Sequence, residues 1–296
     1  MQTMKLPVFL LNLMVATVLL TSCKEKPEII YPQPAPSGDF IKFLPGIVST
    51  DSFEFNSAFS PDGKYFYFAD GNHDMLQTTF NGERWSSATL APFAEKEYKE
   101  CDPAFSPDGN RLYYISTRKR NPTDSTDDFD IWYVEKQGQS WSAPKNLEVV
   151  NSDSSEYYVS LADNGNLYFA SSRKGGLGSF DIYVSKLVNG EYTQPENLGE
   201  SINNGHLEHD PFISRDERLL IYTSVNREGG IGRGDLYFSI KDRNGKWSTA
   251  KNLGTKFNGP EYDYCPYISP DQKYFFYSNN QDVMWINIEE LYKAIE

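Results

Sequence analysis

Apolar and polar positions follow one another in short bursts along most of this chain, and the same turn signal breaks each burst. Ala58-Phe59-Ser60-Pro61-Asp62-Gly63 leads into the run Tyr65-Phe66-Tyr67-Phe68. Proline fixes φ, aspartate supplies a side-chain acceptor and glycine tolerates a positive φ, so the pattern predicts a strand, a tight turn and a second strand. The unit returns four times. Its later turns lie at Ser106-Pro107-Asp108-Gly109, Ala162-Asp163-Asn164-Gly165, Ser214-Arg215-Asp216-Glu217 and Ser269-Pro270-Asp271-Gln272, each followed by an apolar run. Turn-to-turn spacing of roughly 46 to 56 residues matches one four-stranded propeller blade.

Each repeat continues in the same way. A polar loop precedes a third strand that opens with an acid, at Asp74, Asp130, Asp181, Asp235 and Asp282. Asn81-Gly82, Asn189-Gly190 and Asn244-Gly245 then predict hairpin reversals. A fourth strand begins with an aromatic (Trp85, Trp141, Tyr192, Trp247) and ends near Leu90, Leu147, Leu198 or Leu253. The fifth repeat lacks this strand, and its chain runs instead into a short helix-like tail over 288–296. Phe40 to Leu44 stands at the matching distance before Glu54, so it is expected to supply the missing outer strand as a clasp, leaving no free sheet edge. The predicted fold is all-β: a five-bladed β-propeller of four-stranded blades over 40–287, closed by an N-terminal clasp strand. Six blades is the alternative if the start hides a degenerate repeat.

The Phe-Ser-Pro-Asp-Gly turn, the loop Ser172-Arg173-Lys174-Gly175-Gly176-Leu177-Gly178 and the strand Asp181-Ile182-Tyr183 resemble the TolB-type, WD-repeat-like propeller repeat. The extra N-terminal domain of TolB itself has no counterpart, and the resemblance is nearer to standalone propeller lipoproteins of Bacteroidetes-like bacteria. It implies a fold and a binding scaffold but no particular reaction, because propellers host many functions.

The N-terminus changes the picture. Lys5 is the only charge before an apolar run from Leu6 to Leu20, too short for a comfortable transmembrane helix but of secretion-signal length. Leu20-Thr21-Ser22-Cys23 resembles a bacterial lipobox. That resemblance implies a signal peptide over 1–22 and acylation (palmitate-type) of Cys23, the first residue of the mature chain. Lys24 follows where Asp would retain a lipoprotein in the inner membrane, so the expected location is the outer membrane, facing periplasm or cell surface. Residues 23–39, with Pro27, Pro32, Pro34 and Pro36, read as a stiff tether. Cys101 and Cys265 fall in repeats that should not be ring neighbours and read as two separate semi-buried thiols.

A net charge of −13 repels phosphate backbones and argues against nucleic acid as a partner. Aromatics at 15% suit half-exposed strands.

Candidate chemistry lies along the first strands. An acid precedes each turn by the same interval: Glu54, Glu100, Glu156, Glu208 and Asp263, with Asp102 and Asp210 two residues on. Such a carboxylate ring at a channel mouth could hold a cation, an amine or sugar hydroxyls. The favoured alternative is repeated capping of backbone amides where blades meet. Arg118, Arg173 and Arg227, in unequal loops of one face, could bind a carboxylate or an anionic sugar. The glycine-rich loops lack the helix that a phosphate loop requires. His206 and His209 lack a zinc-site spacing, so no metal and no cofactor are expected. The acids opening the third strands are expected to cap loops.

No nucleophile elbow or zinc motif is present. The leading expectation is therefore a non-enzymatic, monomeric envelope lipoprotein, attached to the membrane through its lipid, that binds an envelope protein or glycan through its loop face. An arabinanase-like glycosidase using the channel carboxylates is the runner-up.

Overall fold

A computed structural model describes residues 29–32 and 34–296; Cys23 and the signal segment lie outside the described residues. Five four-stranded antiparallel sheets stand in a ring. Their inner strands are Glu54–Phe59, Glu100–Phe105, Glu156–Leu161, Leu207–Ile213 and Asp263–Ile268. Each inner strand touches the next and the fifth returns to the first, which closes the ring.

The clasp is present. Ile41–Lys42 pairs antiparallel with Asp282–Asn287, Ile41 opposite Trp285 and Lys42 opposite Met284. Phe43 follows it into a core of Phe59, Phe66, Phe276 and Trp285. The tail forms the helix Ile288–Ile295, capped by the Asn287 side chain, with Ile288 and Leu291 buried.

Expectations about two elements need correction. The fourth strands are shorter than the sequence suggests: Thr89–Leu90, Lys145–Asn146, Glu196–Asn197 and Lys251–Asn252. The aromatics before them belong to the preceding reversal. Between the two, a hydroxyl completes the ladder: Ser86, Ser142, Thr193 and Ser248 donate their backbone N–H to a carbonyl at the end of the third strand and accept the return N–H on the side-chain oxygen. The proline-rich stretch is likewise no free tether from Ile29 onward. Ile29 is buried, and the Tyr31 ring lies against Phe59, Tyr274 and Trp285 while its hydroxyl donates to Asp271 at 2.7 Å. We call this segment the strap.

The turn motif has a local cause. In Ser60-Pro61-Asp62-Gly63, the Ser60 hydroxyl donates to Asp62 (2.6 Å) and accepts from Tyr65 N–H (3.0 Å), while Gly63 takes φ +69°. Ser106, Ser214 and Ser269 repeat the bond to an aspartate two residues on. These turns define one face of the ring, and the loops between second and third strands define the other. Cys101 and Cys265 are free and fully buried rather than semi-buried.

Candidate functional site

The first-strand acids open their strands at the loop face but point into the wall. Glu54, Glu100, Glu156, Glu208 and Asp263 are all buried. Each receives the chain arriving from the preceding blade. Glu54 accepts from Thr50 N–H at 3.1 Å, Glu100 from Glu95 N–H at 2.9 Å, Glu156 from Ser152 N–H at 3.1 Å and Asp263 from Gly259 N–H at 2.7 Å. A serine of the second strand adds a hydroxyl in three blades: Ser116 to Glu100, Ser171 to Glu156 and Ser224 to Glu208.

Arg118 and Arg173 meet these same carboxylates, whereas Arg227 is linked to Glu208 through the Asn204 amide. Arg118 reaches Glu100 at 3.0 Å and Glu95 at 2.8 Å and lies over Tyr98. Arg173 reaches Glu156 at 3.1 Å, donates to Val150 O at 2.7 Å and contacts the Phe169 and Tyr183 rings. Arg227 donates to the Tyr222 hydroxyl and lies over Tyr237. The Asn204 amide, oriented to satisfy its neighbours, donates to Glu208 and accepts from Arg227. The wall thus brings acids and arginines together as internal pairs. Burial still pushes Glu208 up to about 7 and Asp263 up to about 6.

Asp102 and Asp210 do a different job. Each inner strand carries a bulge, and its first residue is left-handed: Asn56, Asp102, Tyr158, Asp210 and Cys265, with φ +67°, +56°, +48°, +52° and +53°. Pro103, Pro211 and Pro266 follow in three blades, placing a residue without N–H where a bulge leaves the ladder unpaired. The side chain at the bulge reaches the matching N–H of the next blade. Asn56 accepts from Asp102 N–H (3.1 Å), Asp102 from Tyr158 N–H (3.0 Å) and Asp210 from Cys265 N–H (3.1 Å). Asn56 donates to Cys265 Sγ at 2.9 Å. Tyr158 instead sends its hydroxyl across the channel to Pro266 O at 2.9 Å. The result is a belt of bonds joining blades around the axis. Burial first, and then the Asp210 charge, push Asp102 up to about 7. His209 holds the other Asp210 oxygen at 2.8 Å. Among the described residues, no group of His, Cys, Asp and Glu side chains has metal-binding geometry.

Below the belt, toward the loop face, aromatics fill the axis: Tyr157 stacks on Phe180 at 4.8 Å and meets Phe129, and Tyr262 meets Tyr264. Above it the channel opens on the turn face into a cavity of about 1040 Å³. Half-buried Phe105, Leu161, Phe212, Tyr267 and Ile268 form its wall, and Tyr158 lies at its floor. Asp108, Asp163, Arg215, Asp216 and Arg218 stand on its rim, and Tyr292 and Ile295 of the C-terminal helix flank its mouth. The lining serines Ser106, Ser214 and Ser269 are committed to the turns. A smaller depression of about 380 Å³ on the loop face includes Asp263 and Asp282. An apolar wall under a rim of mixed charge can desolvate aliphatic or aromatic groups and orient a polar backbone above them.

A repeated relay escaped the sequence reading. Asp181 accepts from Gly178 N–H (2.9 Å) and Asn197 (2.8 Å), and Asn203 bonds Asn197 and both the N–H and C=O of Ile182. Asp235, Asn252 and Asn258 repeat it, and Asp130, Asn146 and Asn151 repeat its asparagine links. Asp181 and Asp235 do cap the glycine-rich loops, whereas Asp130 meets Asn146 and Arg120 instead; the recurring Asn-Leu pair with a second Asn five or six residues on was the unread signal.

No family model and no curated protein matches the chain. Solved structures do. One assigned as TolB from Agrobacterium tumefaciens is 18% identical, with TM-score 0.50, covering 76% of this chain and 69% of that one. The gluconolactonase XC5397 from Xanthomonas campestris is 10% identical, with TM-score 0.51, covering 89% and 95%. The tricorn protease is 13% identical, with TM-score 0.51, covering 81% of this chain but 25% of the protease. The likeness is one of fold. At this identity it carries the β-propeller architecture, shared by the TolB structure and the two enzymes alike, and no activity.

Proposed function

We propose that the chain is a non-enzymatic outer-membrane lipoprotein, anchored through Cys23, whose propeller takes an apolar segment of an envelope protein into the turn-face funnel. The observation that carries this reading is the cavity of about 1040 Å³ with an apolar wall and a charged rim. Its volume and lining suit several apolar side chains on an extended backbone better than a polyhydroxylated glycan. The loop face, the first expectation, is the weaker site because Arg118, Arg173 and Arg227 already hold wall carboxylates, rings or carbonyls. The glycosidase alternative loses support for a related reason: the carboxylates it needs are engaged in wall and belt.

Photo-crosslinking in native membranes tests the proposal, with a benzophenone amino acid placed at Phe212 in the funnel or at Lys174 on the loop face. A specific envelope protein captured from the funnel position alone is the expected result. Capture from Lys174 alone, or hydrolysis of a polysaccharide by the purified protein, would overturn it.

A further inference from the structure

We infer that the strap turns the funnel toward the lipid surface, so that the turn face is the membrane-facing side of the propeller. The inference rests on the reading of Cys23 as the lipid anchor. It is carried by where the chain joins the body. Ile29 packs against the Ser60-Pro61-Asp62-Gly63 turn so closely that a Cβ on Gly63 would stand 2.8 Å from its side chain. Tyr31 is pinned to Asp271 in the turn of the fifth blade at 2.7 Å and stacks on Trp285. Both contacts lie on the ring of turns, beside Pro61 and Pro270 of the funnel lining.

Ile29 lies six residue steps beyond Cys23, and even fully extended those steps span only about 20 Å. The body is about as deep: a seven-residue inner strand such as Leu207–Ile213 rises about 23 Å before any loop is added. An acyl group fixed to Cys23 therefore reaches headgroups easily from the turn face. From the loop face it would have to stretch along the whole flank of the propeller. The exposed mouth residues Tyr292 and Ile240 then meet the interfacial region, where a tyrosine's apolar ring and polar tip are both satisfied. The occupant of this face is a bilayer surface, and whatever enters the funnel must come from the membrane side.

The test uses the full acylated chain on vesicles of phosphatidylethanolamine and phosphatidylglycerol that carry a rhodamine lipid. Cys101 and Cys265 are buried, so a fluorophore can be directed to single cysteines at R218C or D163C on the turn face and at K174C or E228C on the loop face. Energy transfer to the lipid dye is expected to be at least about twofold stronger from the turn-face labels. Inserting a twenty-residue Gly/Ser segment after Lys26 should level the two faces. Equal transfer without the insertion, or stronger transfer from K174C and E228C, overturns the orientation while leaving the anchor intact. An unmodified Cys23 thiol in the mass spectrum of the membrane-extracted protein overturns both. The crosslinking result at Phe212 is independent of either outcome.

Discussion

Arg173 illustrates how a residue suited to anion binding can be wholly occupied by its own fold. Its guanidinium lies beside the buried Glu156, a backbone carbonyl and two rings. Arg173→Ala strands a carboxylate inside the wall and should cost about 3 kcal/mol, seen as a lower urea midpoint at unchanged slope. Adding Glu156→Gln should recover part of the loss, whereas a purely ligand-binding arginine would leave both midpoints unmoved. The Ser-Pro-Asp-Gly turn was legible at this scale because its bonds close within five residues of sequence. Asn203 was not, because its partner Ile182 lies 21 residues away. The bulge residues were half legible: Asp102-Pro103, Asp210-Pro211 and Cys265-Pro266 mark a break in the ladder, but only the ring shows that each side chain reaches the next blade.

Among the elements, the strap does most to couple the N-terminus to the body. Tyr31 bridges the clasp core and the fifth-blade turn, with a ring against Trp285 and a hydroxyl on Asp271. Tyr31→Ala should lower stability by about 2 kcal/mol through lost aromatic burial and a lost bond to a charged acceptor. It should also speed amide exchange at Phe43, whose N–H bonds Val283 O at the clasp, ahead of the inner strands. Unchanged exchange at Phe43 would mean that the strap and clasp open independently. The clasp itself was legible from counting strands in the last repeat. The strap was hidden by composition, because four prolines in a short stretch read as a spacer, while the side chains Ile29 and Tyr31 that anchor it are isolated apolar positions with no repeating pattern.

At the scale of the whole molecule, the buried acids make stability depend on pH with a definite sign. Burial is the leading cause that raises Asp102, Asp130 and Glu208 to about 7 and Asp263 to about 6. Against unfolded values near 4, these groups bind protons more tightly when folded, so their contribution is fully present below about pH 4 and is lost as pH rises through 6 to 7. Glu290, held down at about 2 by Lys256 and Lys293, acts in the opposite sense, but both lysines are solvent-exposed and screening leaves the pair little weight. Thermal midpoints should therefore fall by several degrees between about pH 5 and pH 8. Asp102→Asn, which keeps an oxygen for Tyr158 N–H, should flatten that fall, and an unchanged slope would show that the belt carboxylate does not titrate there. The funnel was the least legible feature of all. Its wall takes one or two half-buried side chains from each of four blades, and no local pattern marks them as facing one space.

The clasp also sets a timetable. Its strand, Ile41–Lys42, leaves the ribosome almost first, and its partner, Asp282–Asn287, almost last. Every inner strand can find its predecessor as the chain emerges, but the final seal joins the two most distant parts of the chain and pays its loop-closure entropy late. Until then an open blade edge is exposed to any other strand nearby. A chain cut before Asp282 would keep four complete blades and lose the seal, and it would be expected to accumulate as sticky, unclosed rings instead of as a slightly smaller propeller.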